Sequence, residues 1–199
     1  MTDKELLSCI NALPSNFNLI KKVSTDTLDY SISIEDDTLL VTMGGTVGSI
    51  WPPSKDWLID FEFWTKLFEN DNIEYGFLSE AEIIIADIEK VLKLVDVKKM
   101  FLTGFSKGGA HAAIIHDHFR DRYSVYSVTA GAPMAFAYIS RKKARTFDGS
   151  FIRYHFITDL VPHLPLSIMG FRHIGKGVLL GWHDLINAHS LNSYIARMK

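Results

Sequence analysis

Ser106 stands in the pentapeptide Gly104-Phe105-Ser106-Lys107-Gly108, a G-x-S-x-G pattern between the apolar run Met100–Thr103 and the small-residue stretch Gly109–Ala113. A strand that enters a helix through glycines makes a turn tight enough to push one side chain clear of the backbone. The first N–H groups of the new helix then point at the same spot. A serine hydroxyl alone is a poor nucleophile, so the chemistry needs a base and a group that orients the base. Asp159 follows the strand-like segment 151–158, and Leu160-Val161-Pro162 after it cannot continue a regular strand. His189 lies further on, at the mouth of the last predicted helix. A serine, a carboxylate and a histidine so placed suit acyl transfer through a covalent serine intermediate.

Each of these residues also has a plain structural reading. An aspartate after a strand is commonly a turn residue or a helix cap, and His189 can equally cap the final helix. His183, with Asp184 beside it, competes for the role of base. His111, His116 and His118 fall in or just after the helix that follows Ser106, with His111 and His118 on about one face. No third ligand at metal-like spacing accompanies them, so they read as a partly solvated helix surface. No metal and no organic cofactor is expected.

The elements that must hold these groups are visible in the pattern. Thr2 and Glu5 form a capping box ahead of a short helix whose buried stripe is Leu6, Leu7, Ile10 and Leu13. Tyr30, Ile32 and Ile34 alternate with serines as a half-buried strand, and Glu35-Asp36-Asp37 turns the chain into a second strand, Leu39–Met43. Ser79 and Glu82 suggest another capping box, opening a helix with Ile84, Ile88, Val91, Leu92 and Val95 on one face. A strand at Met100–Thr103, a helix to about Arg120, strands at Tyr123–Thr129 and 151–158, and a helix over His189–Met198 complete the order. Strands alternating with helices predict an α/β domain with a mostly parallel central sheet flanked by helices, preceded by an antiparallel hairpin.

Length and composition agree. The 199 residues, 47% of them hydrophobic, suit a single domain over residues 1–199 with a sizeable core. A formal net charge of −2 gives no support to a nucleic-acid partner. The charged start Met1-Thr2-Asp3-Lys4-Glu5 does not read as a signal peptide. No stretch approaches the roughly 20 apolar residues that span a bilayer. The single Cys9 suits a reducing compartment, so a cytoplasmic location is expected.

With those residues in place, the chain resembles the class 3 (fungal-type) lipases, a branch of the α/β-hydrolases, from about Tyr30 to Tyr194. Leu40-Val41-Thr42-Met43-Gly44-Gly45-Thr46 resembles the family's strand ending in F-R-G-T/S, and Asp56-Trp57-Leu58-Ile59-Asp60 its D/N-W-x-x-D/N segment. Ile73-Glu74-Tyr75-Gly76-Phe77 stands where the family has V-H-x-G-F. The stretch from Thr103 to Ala110 is similar to T-G-H-S-L-G-G-A, and Thr129-Ala130-Gly131-Ala132-Pro133 to T-F-G-S/A-P. The stretch from Asp159 to Pro165, with His173-Ile174-Gly175, resembles D-x-V-P-x-L-P and H-x-G. The run from His189 to Tyr194 looks like the terminal histidine segment. The resemblance implies Ser106 as nucleophile, Asp159 as orienting carboxylate and His189, favoured over His183 by the offset to Tyr194, as general base and then acid. It implies an oxyanion hole made by the backbone N–H of Lys107 and by Thr46.

The departures bear on substrate. Gly44 replaces the family's arginine, Glu74 its histidine, and Phe105 and Lys107 flank the serine in place of His and Leu. A lysine beginning beside the oxyanion hole favours anionic or polar esters if it faces substrate; otherwise it snorkels to solvent. An insertion, residues 48–55, is stiffened by Pro52 and Pro53 and carries Trp51, which reads as an acyl-binding wall or small lid, or as a side chain packed into the body. Trp51 and Phe105 are candidate substrate-binding residues. The aromatic stretch Trp57, Phe61, Phe63, Trp64 and Phe68 reads as core or as a lipid-facing surface. The expected function is carboxylic ester hydrolysis on acylglycerols, phospholipids or smaller esters, with transient contact to a lipid surface. The alternative is an inactive α/β-hydrolase that binds a ligand or partner.

Overall fold

The computed structural model describes residues 1–45, 65–68 and 71–198. Its frame is a seven-stranded sheet in the order β1-β2-β3-β6-β7-β9-β11. Strands β1 (Asn18–Ser24), β2 (Asp29–Glu35) and β3 (Thr38–Met43) pair antiparallel. From β3 onward the pairing is parallel, through β6 (Lys99–Phe105), β7 (Ser124–Ala130), β9 (Phe151–His155) and β11 (Lys176–Leu179). The predicted hairpin-then-parallel order is therefore present, with β1 and β11 added at the two edges.

A parallel sheet needs both faces covered, because its crossovers place helices on them. Leu39, Val41 and Met43 of β3 join a core with Ile84 and Ile88 of α2 (Tyr75–Leu92) and Ile114 and Ile115 of α3 (Lys107–Phe119). Leu40, one residue out of phase, joins the opposite core with Leu6 and Leu7 of α1 (Asp3–Ser8) and Tyr194 of α5 (Leu191–Arg197). The alternation of side chains along one strand thus builds both layers.

The Thr2–Glu5 capping box is made as predicted, but α1 stops at Ser8, so Ile10 and Leu13 pack from the turn beyond it. The second predicted box is not made. Helix α2 begins at Tyr75, capped by Glu74, whose Oε2 accepts the Phe77 N–H at 2.7 Å. Ser79 lies inside the helix and its hydroxyl donates to the Gly76 carbonyl at 2.9 Å.

A smaller antiparallel sheet lies beside the main one, in the order β10-β8-β5-β4. It joins β4 (Thr65–Phe68), β5 (Asp71–Glu74), β8 (Phe136–Ala137) and β10 (Phe171–Arg172). Between β8 and β9 a short helix, α4 (Arg141–Arg145), is capped by Ser140 Oγ, which accepts the Lys143 N–H at 3.1 Å. No helix among the described residues is long and apolar enough to cross a membrane.

Candidate active site

Because β3, β6, β7, β9 and β11 run parallel, their carboxyl ends share one edge of the sheet, where open α/β sheets carry their sites. Ser106 sits directly after β6, at the head of α3. Its backbone has φ 54° and ψ −127°, a conformation that a residue with a Cβ rarely adopts. The surroundings enforce it. A Cβ at Gly104 would collide with the Gly108 carbonyl, and one at Gly108 with the carbonyls of Met43 and Gly44. The strand and helix therefore close to a distance that only glycine allows. The Ser106 N–H is tied to the Ala130 carbonyl of β7 at 3.0 Å.

The turn delivers the Ser106 hydroxyl to His189, whose Nε2 lies 2.9 Å from Oγ. On its other side, His189 Nδ1 lies 3.0 Å from Asp159 Oδ1 and 2.8 Å from Oδ2. Facing a carboxylate, Nδ1 carries the proton, which leaves Nε2 to accept from the serine hydroxyl. Asp159 and Ser106 are both buried, and the imidazole keeps a small exposed edge. The three residues singled out in the sequence therefore form one continuous chain of hydrogen bonds, although they are 83 positions apart at the extremes.

Two of the three are placed differently along the chain than the pattern suggests. Strand β9 ends at His155, so Asp159 lies in the loop beyond it, not at the strand end. There Oδ1 also accepts the Val161 N–H at 3.0 Å, which fixes the start of a 3-10 turn over Val161–His163. His189 precedes the N-cap Ser190 and is no part of helix α5. His183, the competing base, pairs with Asp184 Oδ2 at 2.8 Å and packs against Phe156, its ring centroid 5.0 Å away. Among the described residues it bonds neither Ser106 nor Asp159.

Tyr194 was legible only as part of a motif, yet its hydroxyl is a member of the site. It donates to Asp159 Oδ2 at 2.6 Å and accepts the Phe156 N–H at 3.3 Å. Burial and the adjacent Asp159 charge push the phenol far above its ordinary pKa, so it stays a donor. Gly131, with φ 59°, makes room behind the pair: a Cβ there would lie 3.1 Å from both Asp159 Oδ2 and His189 Cε1.

Phe105 lays its ring against His189, with centroids 4.9 Å apart, and meets Tyr194 edge-on at 6.2 Å. It buttresses the imidazole. Lys107 does neither of the things its position suggested. Its ammonium reaches back to the Thr27 carbonyl and to Glu80, whose Oε1 and Oε2 lie 2.9 Å away. His111 Nε2 approaches the same carboxylate at 3.0 Å. Burial opposes ionisation of Glu80, but the hydrogen bonds from His111 and Lys107 outweigh it and lower its pKa. The Lys107 side chain is thus spent on an ion pair, while its backbone N–H stays in the first turn of α3, where no intrahelical acceptor exists.

The histidines of α3 also differ from expectation. His111 and His116 are buried, and only His118 is partly exposed. His116 Nδ1 lies 2.7 Å from Ser127 Oγ and Nε2 lies 3.2 Å from Ser150 Oγ. His116 is a satisfied core polar group and His111 is buried against the Glu80 carboxylate, because α3 is enclosed by β6, β7 and α2. Among the described residues no group of three His, Cys, Asp or Glu could hold a metal ion.

Gly45 lies against Ser106, where a Cβ would sit 3.1 Å from the serine Cβ. Gly44 donates its N–H to the Asp29 carbonyl at 2.9 Å, and the Asp29 side chain fills the space a Gly44 Cβ would need. Thr46, Trp51 with its insertion, the Asp56–Asp60 segment and the aromatic residues Trp57, Phe61, Phe63 and Trp64 lie outside the described residues, as does the Phe68 side chain.

A model of the class 3 lipase family matches residues 41–169. Solved structures share the fold. The Rhizomucor miehei lipase–propeptide complex superposes with a TM-score of 0.65 at 22% identity, over 82% of this chain and 57% of its own. The lipase of Rhizopus microsporus var. chinensis gives 0.65 at 22%, over 86% and 63%. A triacylglycerol lipase whose catalytic centre is formed by a serine protease triad gives 0.64 at 22%, over 83% and 67%. The chain spans only 57% to 67% of the length of these structures. No curated protein matches it by sequence. At such identities the structural likeness establishes the fold, that of the α/β-hydrolases, and the family match across the serine turn and the Asp159 loop establishes the rest: the chain belongs to the class 3 lipases.

Proposed function

We propose that the protein is a carboxylic ester hydrolase that works through an acyl-serine intermediate. The observation that carries this reading is the unbroken Ser106–His189–Asp159 chain, with Ser106 held in a strained turn. His189 Nε2 takes the Ser106 proton as Oγ attacks the ester carbonyl, and the alcohol leaves with that proton. Water then hydrolyses the acyl-serine by the same route, His189 acting again as base and then returning the proton to Ser106. Asp159 and Tyr194 hold the imidazole in the tautomer this requires.

The developing oxyanion needs donors in place before the reaction. The Lys107 N–H, at the head of α3, is one; Thr46, next to Gly45, is assigned as the other. Substrates are esters of acylglycerol, phospholipid or smaller type, presented in part at a lipid surface, in keeping with the lipase family. The lysine that flanks the serine confers no preference for anionic esters, because Glu80 already neutralises it.

A fluorophosphonate probe and p-nitrophenyl esters test the reading. Wild type should form an adduct at Ser106 and turn over the esters, and Ser106→Ala should lose both. A wild type that neither reacts nor hydrolyses any short or long ester would replace this proposal with that of a non-catalytic binding module.

A further inference from the structure

A cavity of about 370 Å³ opens away from the three site residues, none of which lines it. Its walls carry Arg141, Arg145, Arg172, His163 and His173, against a single carboxylate, Asp148. None of the three arginines has an ion-pair partner among the described residues. Three arginines against one carboxylate give this wall a local positive field in a chain of formal net charge −2, and such a field draws anions.

The walls are built, not incidental. Arg141 and Arg145 are four residues apart on α4 and so emerge from one helix face. Arg172 comes from β10, at the edge of the small sheet. The segment after β10 is tied to α4 by the Gly175 N–H, which donates to the Ala144 carbonyl at 3.2 Å. Arg153 secures the same segment from beneath, its Nε donating to the Ile174 carbonyl at 2.7 Å. His173 Nε2 donates to the Pro162 carbonyl at 2.7 Å and fixes the wall that carries His163. Ser167, also lining the cavity, spends its hydroxyl only on the weak acceptor Met134 Sδ at 3.7 Å, so it can turn to a better one.

We propose that this cavity binds a phosphate monoester, with Arg141, Arg145 and Arg172 converging on the phosphate oxygens. Arginine is the residue suited to this role, since its planar fork matches two phosphate oxygens at once. The volume exceeds that of a bare phosphate ion and leaves room for an organic group beside the apolar atoms of Met134, Ala144 and Pro162. The site does not depend on the hydrolytic reading, since it shares no residue with it.

Calorimetric titration of the whole chain with glycerol 3-phosphate tests the site. Wild type should bind one equivalent saturably. Arg145→Gln and Arg172→Gln should each raise Kd by about tenfold or more, the loss expected for a charge-assisted hydrogen bond. Lys142→Gln removes the same charge from α4 at a position that does not line the cavity, and should leave Kd nearly unchanged. Sodium chloride at matched ionic strength should not compete. No saturable binding by wild type, or equal weakening by Lys142→Gln and Arg145→Gln, overturns the proposal. A second arm identifies the source of the phosphate, using phosphatidylcholine vesicles with and without phosphatidic acid. If Arg172→Gln abolishes sedimentation with the phosphatidic acid vesicles alone, the phosphate is a lipid headgroup. If vesicle binding is unaffected while glycerol 3-phosphate binding weakens, it is a soluble monoester.

Discussion

Replacing Tyr194 by Phe removes one oxygen that has two buried partners and leaves everything else about the side chain in place. The ring keeps its contacts with Phe156, 4.6 Å between centroids, and with Phe105. What is lost is the 2.6 Å bond to Asp159 Oδ2 and the acceptor for the Phe156 N–H. A hydrogen bond to a charged group contributes about 1.5–3 kcal/mol, and a stranded buried N–H costs about 1 kcal/mol or more. The 3.3 Å bond to Phe156 is long, so the lower end applies there. The variant should be destabilised by about 2–4 kcal/mol, which at a typical urea dependence of about 2 kcal/mol/M moves the unfolding midpoint down by about 1–2 M.

The kinetic effect should be smaller and of a particular kind. Asp159 keeps the Val161 N–H and His189, so the carboxylate stays in place but is held by fewer donors. Looser orientation of His189 affects the transition state more than the binding of an ester. We expect kcat for p-nitrophenyl butyrate to fall about tenfold, equivalent to about 1.4 kcal/mol, with KM unchanged. Tyr194→Leu should lose more stability, through the lost ring packing, but no more of kcat than Tyr194→Phe. Wild-type kcat and midpoint in Tyr194→Phe would refute the positioning role, as would a raised KM at unchanged kcat.

Three further outcomes follow from the geometry. Ser106→Gly relieves the φ 54° backbone and should raise stability by about 1 kcal/mol in urea melts while abolishing hydrolysis; a destabilised variant would show that the turn is not strained. Lys107→Met should leave the ratio of kcat/KM for anionic and neutral esters within about twofold, because the ammonium is held by Glu80 and Thr27; a larger change would place it against substrate. Burial, and then the charge of Arg120, push His116 down to about 3 from 6.5, so the unfolded chain takes up a proton there before the folded chain does. Stability is therefore complete above about pH 6.5 and is lost as pH falls toward 3, at about 1.4 kcal/mol per pH unit for this residue. Urea midpoints measured from pH 7 to pH 4.5 should fall, and less steeply in His116→Gln by one proton's worth. Some slope should persist from His111 and His173, whose pKa values burial also lowers.

What the sequence discloses here divides along a physical line. Strands β3, β6 and β7 are covered on both faces, so they read as apolar runs, and the parallel order follows from their alternation with helices. Strand β1 forms a sheet edge and exposes most of its residues, so it has no periodicity to detect. The two-residue strands β8 and β10 are too short to carry one. The same line runs through the site. Ser106 and Asp159 are marked by local backbone devices, a glycine-flanked turn and a proline-stopped exit, whose signals lie within five residues. Glu74 defeats the local rule, because it caps α2 ahead of the Ser79–Glu82 pattern that mimics a helix start.

Roles set by a distant partner leave no mark in a local pattern. His111 and His116 are polar letters on a helix, and nothing nearby distinguishes a solvated face from one paired with Glu80, Ser127 or Ser150. Lys107 is one position from Ser106, yet Glu80, 27 residues earlier, decides where its charge goes. Tyr194 belongs with them: its hydroxyl matters only because the fold brings Asp159, 35 residues earlier, within 2.6 Å. Ser106 is thus legible because a turn must be encoded where it occurs. The groups that tune it are not, because a buried hydrogen bond needs two chain segments and a local pattern records only one.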